Sequence, residues 1–415
     1  MLEHFLAHPA AVERLRSGAL GSHVDAFLEH LADLGYGHET LRIRVGILGR
    51  LARWMARRGL GVADLSESVL DRFLRDRARD GGVAQRDAPT VRGLLAHLRS
   101  HGATGPAVAR HDASPLGRLQ RAYEHYLTAE RALAPATRSD YCGFFRRLLS
   151  ERFGDGPLPL RALNAADIST FVRRHAHTMS PGRAKLMVTA LRSMFRFLLQ
   201  RSLIDRDLAA SVPAVANWRL TTVPKYLSPE EIDRLLDACD RTTAVGRRDY
   251  AILLLLVRLG LRAGEVAAFE LGDIHWRAGE ITVRGSKSDR RDRLPLPADV
   301  GAALAAYVQA DRPHHRTRRV FLCAGAPSRG FAGGRSVSTI VRRTLGRAGL
   351  HPAVKGAHLL RHSLATRLLR AGASLSEIGQ VLRHRAVTTT EIYAKVDLAS
   401  LSSLARPWPG SGGEL

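Results

Sequence analysis

GAHLLRHSLATRLL, residues 356–369, carries the pattern from which the remainder of the chain becomes readable. At about 100° per residue, a helix sets His358, Arg361 and His362 within one arc of about 100° and turns Leu360, Leu364 and Leu368 to the other side. One face packs against a core and the other presents cationic donors. A solvated basic face is one reading of such a pattern. Zinc is a second, because His358 and His362 stand four apart, but the glutamate of H-E-x-x-H is missing and no third ligand is evident. Holding an anion is the third, and the flanking segments bear on it.

Downstream, SLSEIGQVLRHRAVTTTEIY (Ser374–Tyr393) predicts a helix opened by Ser374 with Glu377, a short connection, and another helix opened by Thr388 with Glu391, with Tyr393 just inside it. Taken alone the segment also suits a helix-turn-helix reader, and Tyr393 a core tyrosine. Upstream, LLLLVRLGLRAGEVAAFEL (residues 253–271) places Arg262 past a buried apolar run and after Gly260, followed by Glu265. Lys287 stands in the turn of GSKSDRRDRLPL (residues 285–296), and the chain has only four other lysines: Lys185, Lys225, Lys355 and Lys395.

In this order, GLRAGEVAAFELGDIHW from Gly260, the turn lysine, HLLRH, LRH and TTTEIY resemble the signatures of the tyrosine recombinase or phage integrase family, closest to its Xer-like and transposon-borne members. The resemblance covers roughly Leu116 to Ala405. It implies a mainly α fold with a small antiparallel sheet: a tyrosine recombinase catalytic domain preceded by helical, SAM-like core-binding bundles. It further implies that Tyr393 attacks a DNA phosphate held by Arg262, Lys287, His358, Arg361 and His384. Bidentate guanidinium groups can clamp the charge on the equatorial oxygens without a metal or other cofactor. By the same resemblance Lys287 protonates the departing 5′ oxygen, His358 assists as proton acceptor or phosphate donor, and His384 is a further phosphate contact; the base stays unassigned. The product would be a 3′-phosphotyrosyl linkage, reversible by another strand's 5′ hydroxyl. The implied partners are double-stranded DNA carrying specific recombination sites and a homo- or hetero-tetramer that passes through a Holliday junction, with sister recombinases as candidates.

Three departures from the family pattern stand out: L-G-H reads LRH, with Arg383 in the glycine's place, the residue two after the tyrosine is Lys395, and the turn around Lys287 differs by about a residue. Two other functions share parts of the pattern. A type IB topoisomerase-like nicking and closing enzyme would use the same chemistry, and a non-catalytic DNA-binding regulator would bind without covalent capture.

Composition agrees with a nucleic-acid partner. The formal net charge is +24, nearly all of the basic charge being arginine, and such a field favours polyanions. Hydrophobic residues at 45% and charged residues at 25% predict a folded chain, and 415 residues suit two or three cores. Cys142, Cys239 and Cys323 are too few and too scattered for a disulfide framework. MLEHFLAHPAAVERLRSG lacks the features of a signal peptide, and the longest apolar run, Ala251–Val257, is too short for a membrane span. A cytoplasmic, nucleoid-associated protein without a membrane partner is the expectation.

Two N-terminal segments echo one another at a period of roughly 95 to 100 residues. AFLEHL from Ala26, the helix around His38, ADLSESVLDRFL from Ala63 and TVRGLLAHLRS from Thr90 are answered by AYEHYL from Ala122, APATRSDYCGFFRRLL from Ala134, LNAADISTFVRR from Leu163 and ALRSMFRFLLQ from Ala190. With linkers near His101–Pro115 and Ser211–Pro224, the expected domains are an added N-terminal helical bundle over residues 1–110, a core-binding domain over 116–210, a catalytic domain over 225–405 and a flexible tail over 406–415. The added bundle lies outside the family's usual two-domain layout and reads as a further DNA contact. Within the catalytic part, strand-like pieces are expected at Ala268–Leu271, Ile281–Arg284 and Arg293–Leu296, and a loop near Cys323–Arg335.

Overall fold

In the computed structural model, which describes residues 2–5, 9–82, 85–106, 112–154, 156–215, 224–285, 291–384, 386 and 389–396, several helices begin at a short polar side chain that accepts from an amide of the first turn. The chain divides into two compact units, Val108–Thr221 and, together, Met1–Ala107 with Thr222–Leu415.

The unit Val108–Thr221 holds α6 (Pro115–Ala129), α7 (Pro135–Phe153), α8 (Ala165–Ala176) and α9 (Pro181–Gln200). Ser114 caps α6 by accepting from the Gly117 amide, and Asn164 with Asp167 forms a capping box on α8. Tyr123 stacks on Phe145 at 4.7 Å between ring centroids and leans on Phe197 at 5.2 Å, at the centre of an aromatic core.

The other unit begins with α1 (Pro9–Arg16), α2 (Gly21–Asp33), α3 (His38–Ala56), α4 (Glu67–Arg79) and α5 (Asp87–Ser100), which close over their own core of Leu48, Leu51, Met55, Phe73 and Leu94 among others. From α2 to α5 the order and, for the first three pairs, the lengths parallel those of α6 to α9, with helix starts offset by 94 to 98 residues. Each set carries one 3₁₀ turn between its second and third helices, Val62–Asp64 and Leu160–Ala162. The sequence echo thus has a counterpart in element order. Within its own unit, the first bundle touches the C-terminal part where the Ser328 amide donates to the Leu34 carbonyl at 2.7 Å.

The C-terminal part comprises α10 (Pro229–Asp237), α11 (Ala244–Leu259), α12 (Ala263–Ala268), β1 (Ile274–His275), β2 (Glu280–Arg284), β3 (Arg291–Pro295), α13 (Ala298–Ala310), α14 (Gly334–Arg347), α15 (Ala357–Arg370) and α16 (Leu375–Val381). Helix α11 starts earlier than its apolar run suggests, because Thr243 accepts from the Gly246 amide and caps it. Ala251–Val257 are buried all round, the helix being packed against α13 and α15. Each such Leu or Ile contributes about 1.5–3 kcal/mol by leaving water. The strands form one antiparallel sheet in the order β1-β2-β3, with Ile281 opposite both Ile274 and Leu294.

Three expectations are corrected. Residues 268–271 do not join the sheet. The Asp273 carboxylate accepts from the Glu270 amide and turns Leu271–Asp273 into a 3₁₀ helix, so Glu270 bridges only to Arg319 and the first strand is Ile274–His275. The loop expected at Cys323–Arg335 is longer at its start, α13 ending at Ala310, and yields to α14 at Gly334. Tyr393 lies on a 3₁₀ helix, Glu391–Val396, not an α-helix, its amide donating to the Thr390 carbonyl at 3.0 Å. The expected cap Thr388, the turn residue Lys287 and the tail from residue 406 lie outside the described residues.

Gly260 ends α11 in the left-handed region at φ +57, where a Cβ would come within 2.8 Å of Leu382 and 2.9 Å of Leu364. Gly260→Ala combines backbone strain with overpacking and is expected to cost on the order of 2 kcal/mol or more. A urea titration of the full chain measures it, and a midpoint equal to that of the parent protein would refute the close approach.

Candidate active site

The end of α16 supplies the ledge on which the site is assembled. The Arg383 amide donates to Gln380 and the His384 amide to Gly379, both at 2.9 Å, with Arg383 at φ +54, which is the double bond pattern of a Schellman motif. The carbonyls of Leu382 and Arg383 are thereby held facing neighbouring arginines.

Arg361, on the face of α15 read from the sequence, is 2% exposed. Its guanidinium donates to the carbonyl of Gly260, at the end of α11, and to that of Leu382, at the end of α16. Burial, then Arg262 and Arg383, push its pKa down to about 10, so it stays charged at neutral pH. Arg262 stands at the N-cap of α12. Its amide and its Nη1 donate to Glu265 at 2.8 and 2.9 Å, and its Nη2 donates to the Arg383 carbonyl at 3.3 Å. With 40% of its side chain exposed, it is the more accessible of the two guanidinium groups.

Tyr393 is buried, and its phenol hydrogen-bonds Nδ1 of His362 at 2.8 Å, one residue along α15 from Arg361. Burial raises the phenol to about 12, opposed by the nearby positive charge of Arg361. Burial first, then His358, Arg361 and His384, lower His362 to about 4, so its imidazole is neutral at pH 7 and able to accept a proton. The His358 ring stands edge-on to His362 at 4.5 Å between centroids. His358 remains exposed as a residue, yet lost solvation around its ring, then Arg361 and Arg262, lower its pKa. Nδ1 of His384 meets Oγ1 of Thr390 at 2.8 Å, tying the α16 ledge to the 3₁₀ helix of Tyr393, and burial pushes this imidazole to about 4 as well.

Arg262, His358, Arg361, His384 and Tyr393 therefore share one site through direct bonds or electrostatic reach, while Lys287 lies outside the described residues. Three participants were not among the attacking or phosphate-holding residues expected from the sequence. Glu265 is the shared anion of the arginines. His362 holds the phenol, and its place one turn after His358 was the available signal. Thr390 anchors His384, and nothing in a run of three threonines separates it from its neighbours. Among the described residues, no group of three or more His, Cys, Asp or Glu could hold a metal ion, and no helix is long and apolar enough to cross a membrane.

The phage integrase family model matches residues 225–399. Along its length the chain is similar to y4rA of Sinorhizobium fredii, whose name assigns it to the integrases and recombinases, at 43% identity over 410 residues, 99% of each chain. It is similar to tyrosine recombinase XerD of Lacticaseibacillus casei, 30% identical over 281 residues, 65% of this chain and 90% of that one. Among solved structures, XerH site-specific recombinase bound to palindromic difH substrate, a post-cleavage complex, aligns with a TM-score of 0.56 at 20% identity over 81% of this chain and 93% of that one; this likeness is one of fold.

His362 and His384 are held near 4 in the folded protein against an ordinary 6.5. Between those values the unfolded chain takes up protons that the folded site refuses. Their contribution to stability is full above about pH 6.5 and is lost as pH falls toward 4. Urea midpoints measured at pH 7 and pH 5 should fall with acid, and a His362→Gln, His384→Gln double variant should fall less; equal slopes would contradict the burial argument.

Proposed function

This chain belongs to the tyrosine recombinase family, the phage integrases, whose activity is site-specific cutting and rejoining of DNA, and we propose that Tyr393 performs the attack on a phosphate held by Arg262 and Arg361. The observation that carries this reading is the strapping of both guanidinium groups to the Leu382–His384 ledge, with the Tyr393 phenol bonded to the residue next to Arg361. A phosphate placed against the ledge meets two cations and, once the phenol has passed its proton to His362, a nucleophile.

The phenol oxygen of Tyr393 forms a bond to phosphorus and the bond from phosphorus to the 5′ oxygen breaks. The phenol proton passes to the neutral imidazole of His362, and the departing 5′ oxygen takes a proton from Lys287. A phenol with pKa near 12 is almost wholly protonated at pH 7, so a proton acceptor at hydrogen-bond distance matters more than it would for an exposed tyrosine. His358 and His384 donate to the phosphate oxygens. The 3′-phosphotyrosyl bond keeps the energy of the phosphodiester, so a second strand's 5′ hydroxyl reverses the reaction without ATP.

Recombination between two duplexes cuts four strands, and each cut consumes one tyrosine. The working assembly is therefore four protomers on two specific DNA sites, passing through a Holliday junction, with sister recombinases able to supply some of the four. The net charge of +24 supports binding of the duplex, with phosphate contacts from the helical bundle over 116–210 and from the catalytic part over 225–405. The bundle over 1–110 adds a further DNA contact. An enzyme acting on chromosomal or mobile-element DNA works at the nucleoid.

A nicked suicide substrate carrying the cognate site should become covalently attached to the protein. Tyr393→Phe is expected to abolish attachment with DNA affinity retained, and Arg361→Ala or Arg262→Ala to slow it about 10²- to 10³-fold. Lys287→Ala is expected to slow it about 10²- to 10⁴-fold, with recovery on a substrate bearing sulfur in place of the bridging 5′ oxygen, since a thiolate leaves without a proton. An adduct formed by the Phe variant would overturn the assignment of the nucleophile, and joining of two separate sites distinguishes recombination from mere relaxation of supercoils.

A further inference from the structure

Arg383 occupies a backbone position that suits glycine, at φ +54 in the residue that closes α16. Its side chain is nevertheless 5% exposed, carried inward against two acids. Nη2 donates to Oε2 of Glu265 at 2.6 Å, and Nε stands 3.7 Å from Oδ2 of Asp292 on β3. Among the described residues, Nε and Nη1 find no hydrogen-bond acceptor. Buried donors of a cation are rarely left unfilled, because water is lost and nothing replaces it.

Glu265 gives those spare donors a use. Its side chain is 2% exposed and it serves two arginines at once: Oε1 accepts from Nη1 of Arg262, while Oε2 accepts from the Arg262 amide and from Arg383. If a DNA phosphate draws Nη1 of Arg262 to itself, that nitrogen leaves Oε1. A buried carboxylate stripped of a partner is costly, and that cost would oppose every engagement of the DNA. Arg383 already holds the other oxygen of the same carboxylate. A guanidinium can offer two parallel N–H groups to the two oxygens of a carboxylate, so Nη1 of Arg383 is the donor placed to take up Oε1.

We infer that Arg383 is a positioning residue that takes over Glu265 when Arg262 turns to the DNA phosphate. The inference rests on the reading that Arg262 holds that phosphate. In this exchange Arg383 touches neither DNA nor the reacting atoms. It keeps the buried acid paired in both states, so that releasing Arg262 leaves no uncompensated charge. Lysine could keep the charge but has no fork with which to hold both oxygens.

The test measures single-turnover adduct formation on the nicked substrate, beside DNA affinity and thermal unfolding, with the full chain. Arg383→Gly accepts the left-handed backbone and should form adduct at least about tenfold more slowly, with DNA affinity within about twofold. Arg383→Lys should fall between it and the parent protein. In an Arg383→Gly, Glu265→Gln double variant there is no buried charge to re-pair, and at least half of the lost rate should return. Arg383→Asn, which also tolerates positive φ, replaces the glycine variant if the latter fails to fold. Parent-like cleavage by a folded Arg383→Gly protein, or a double variant no faster than the single one, overturns the exchange. Arg262→Ala in the same assay separates the two ideas: if it cleaves normally, the reading of the phosphate site has failed, whereas its loss together with an active Arg383→Gly protein removes only the exchange.

Discussion

A guanidinium group with almost no contact to water must be satisfied by the protein, and Arg361 achieves this with two main-chain carbonyls at helix ends. Helices α11 and α16 each end in a left-handed residue, Gly260 and Arg383, and the carbonyl of Gly260 and that of Leu382 both turn to Arg361. A helix C-terminus carries partial negative charge, and two of them converge on one cation. Other features of the site depend on this junction: it fixes where α12 departs with Arg262, where the α16 ledge stands, and where α15 presents His358 and His362.

Around that junction the electrostatics are arranged by solvent exclusion more than by pairing. Arg361, Arg262 and Arg383 share one buried anion, Glu265, in a site whose excess positive charge suits a phosphodiester. The same charge, together with burial, keeps His362 and His384 neutral, so they can act as acceptors or fixed donors without adding to the repulsion. Tyr393 is held as a protonated phenol by burial while Arg361 favours its anion. The balance is that of a protonated phenol hydrogen-bonded to a neutral imidazole.

The N-terminal region presents a different kind of regularity. Helices α2 to α5 and α6 to α9 share their order, an interposed 3₁₀ turn and, for the first three pairs, their lengths within two residues. Each set nevertheless builds a separate core with different residues, Trp54 and Phe73 in one and Tyr123, Phe145 and Phe197 in the other. Local hydrophobic spacing governs the helices, while the identity of the aromatic residues sets each core.

Much of this was legible in residue order, because helices obey a local period and reactive side chains advertise themselves by type. The amphipathic faces of α15, the cap at Ser374, the mainly helical fold with its small sheet, and the grouping of Arg262, His358, Arg361, His384 and Tyr393 all follow from spacing or from a family pattern written in the chain. Other features depended on particular hydrogen bonds that spacing does not reveal. That residues 268–271 bend away from the sheet rests on Asp273 outcompeting a strand partner, and that Tyr393 lies on a 3₁₀ helix rests on how Thr390 and His384 close that turn. The sharing of Glu265 by Arg262 and Arg383, 118 residues beyond it, is invisible to any local rule, since a carboxylate chooses its cations by distance in space. Sequence alone determined which chemistry the chain can attempt; only the tertiary structure decided which charges meet, because burial and pairing arise where separate helix ends are brought against one another.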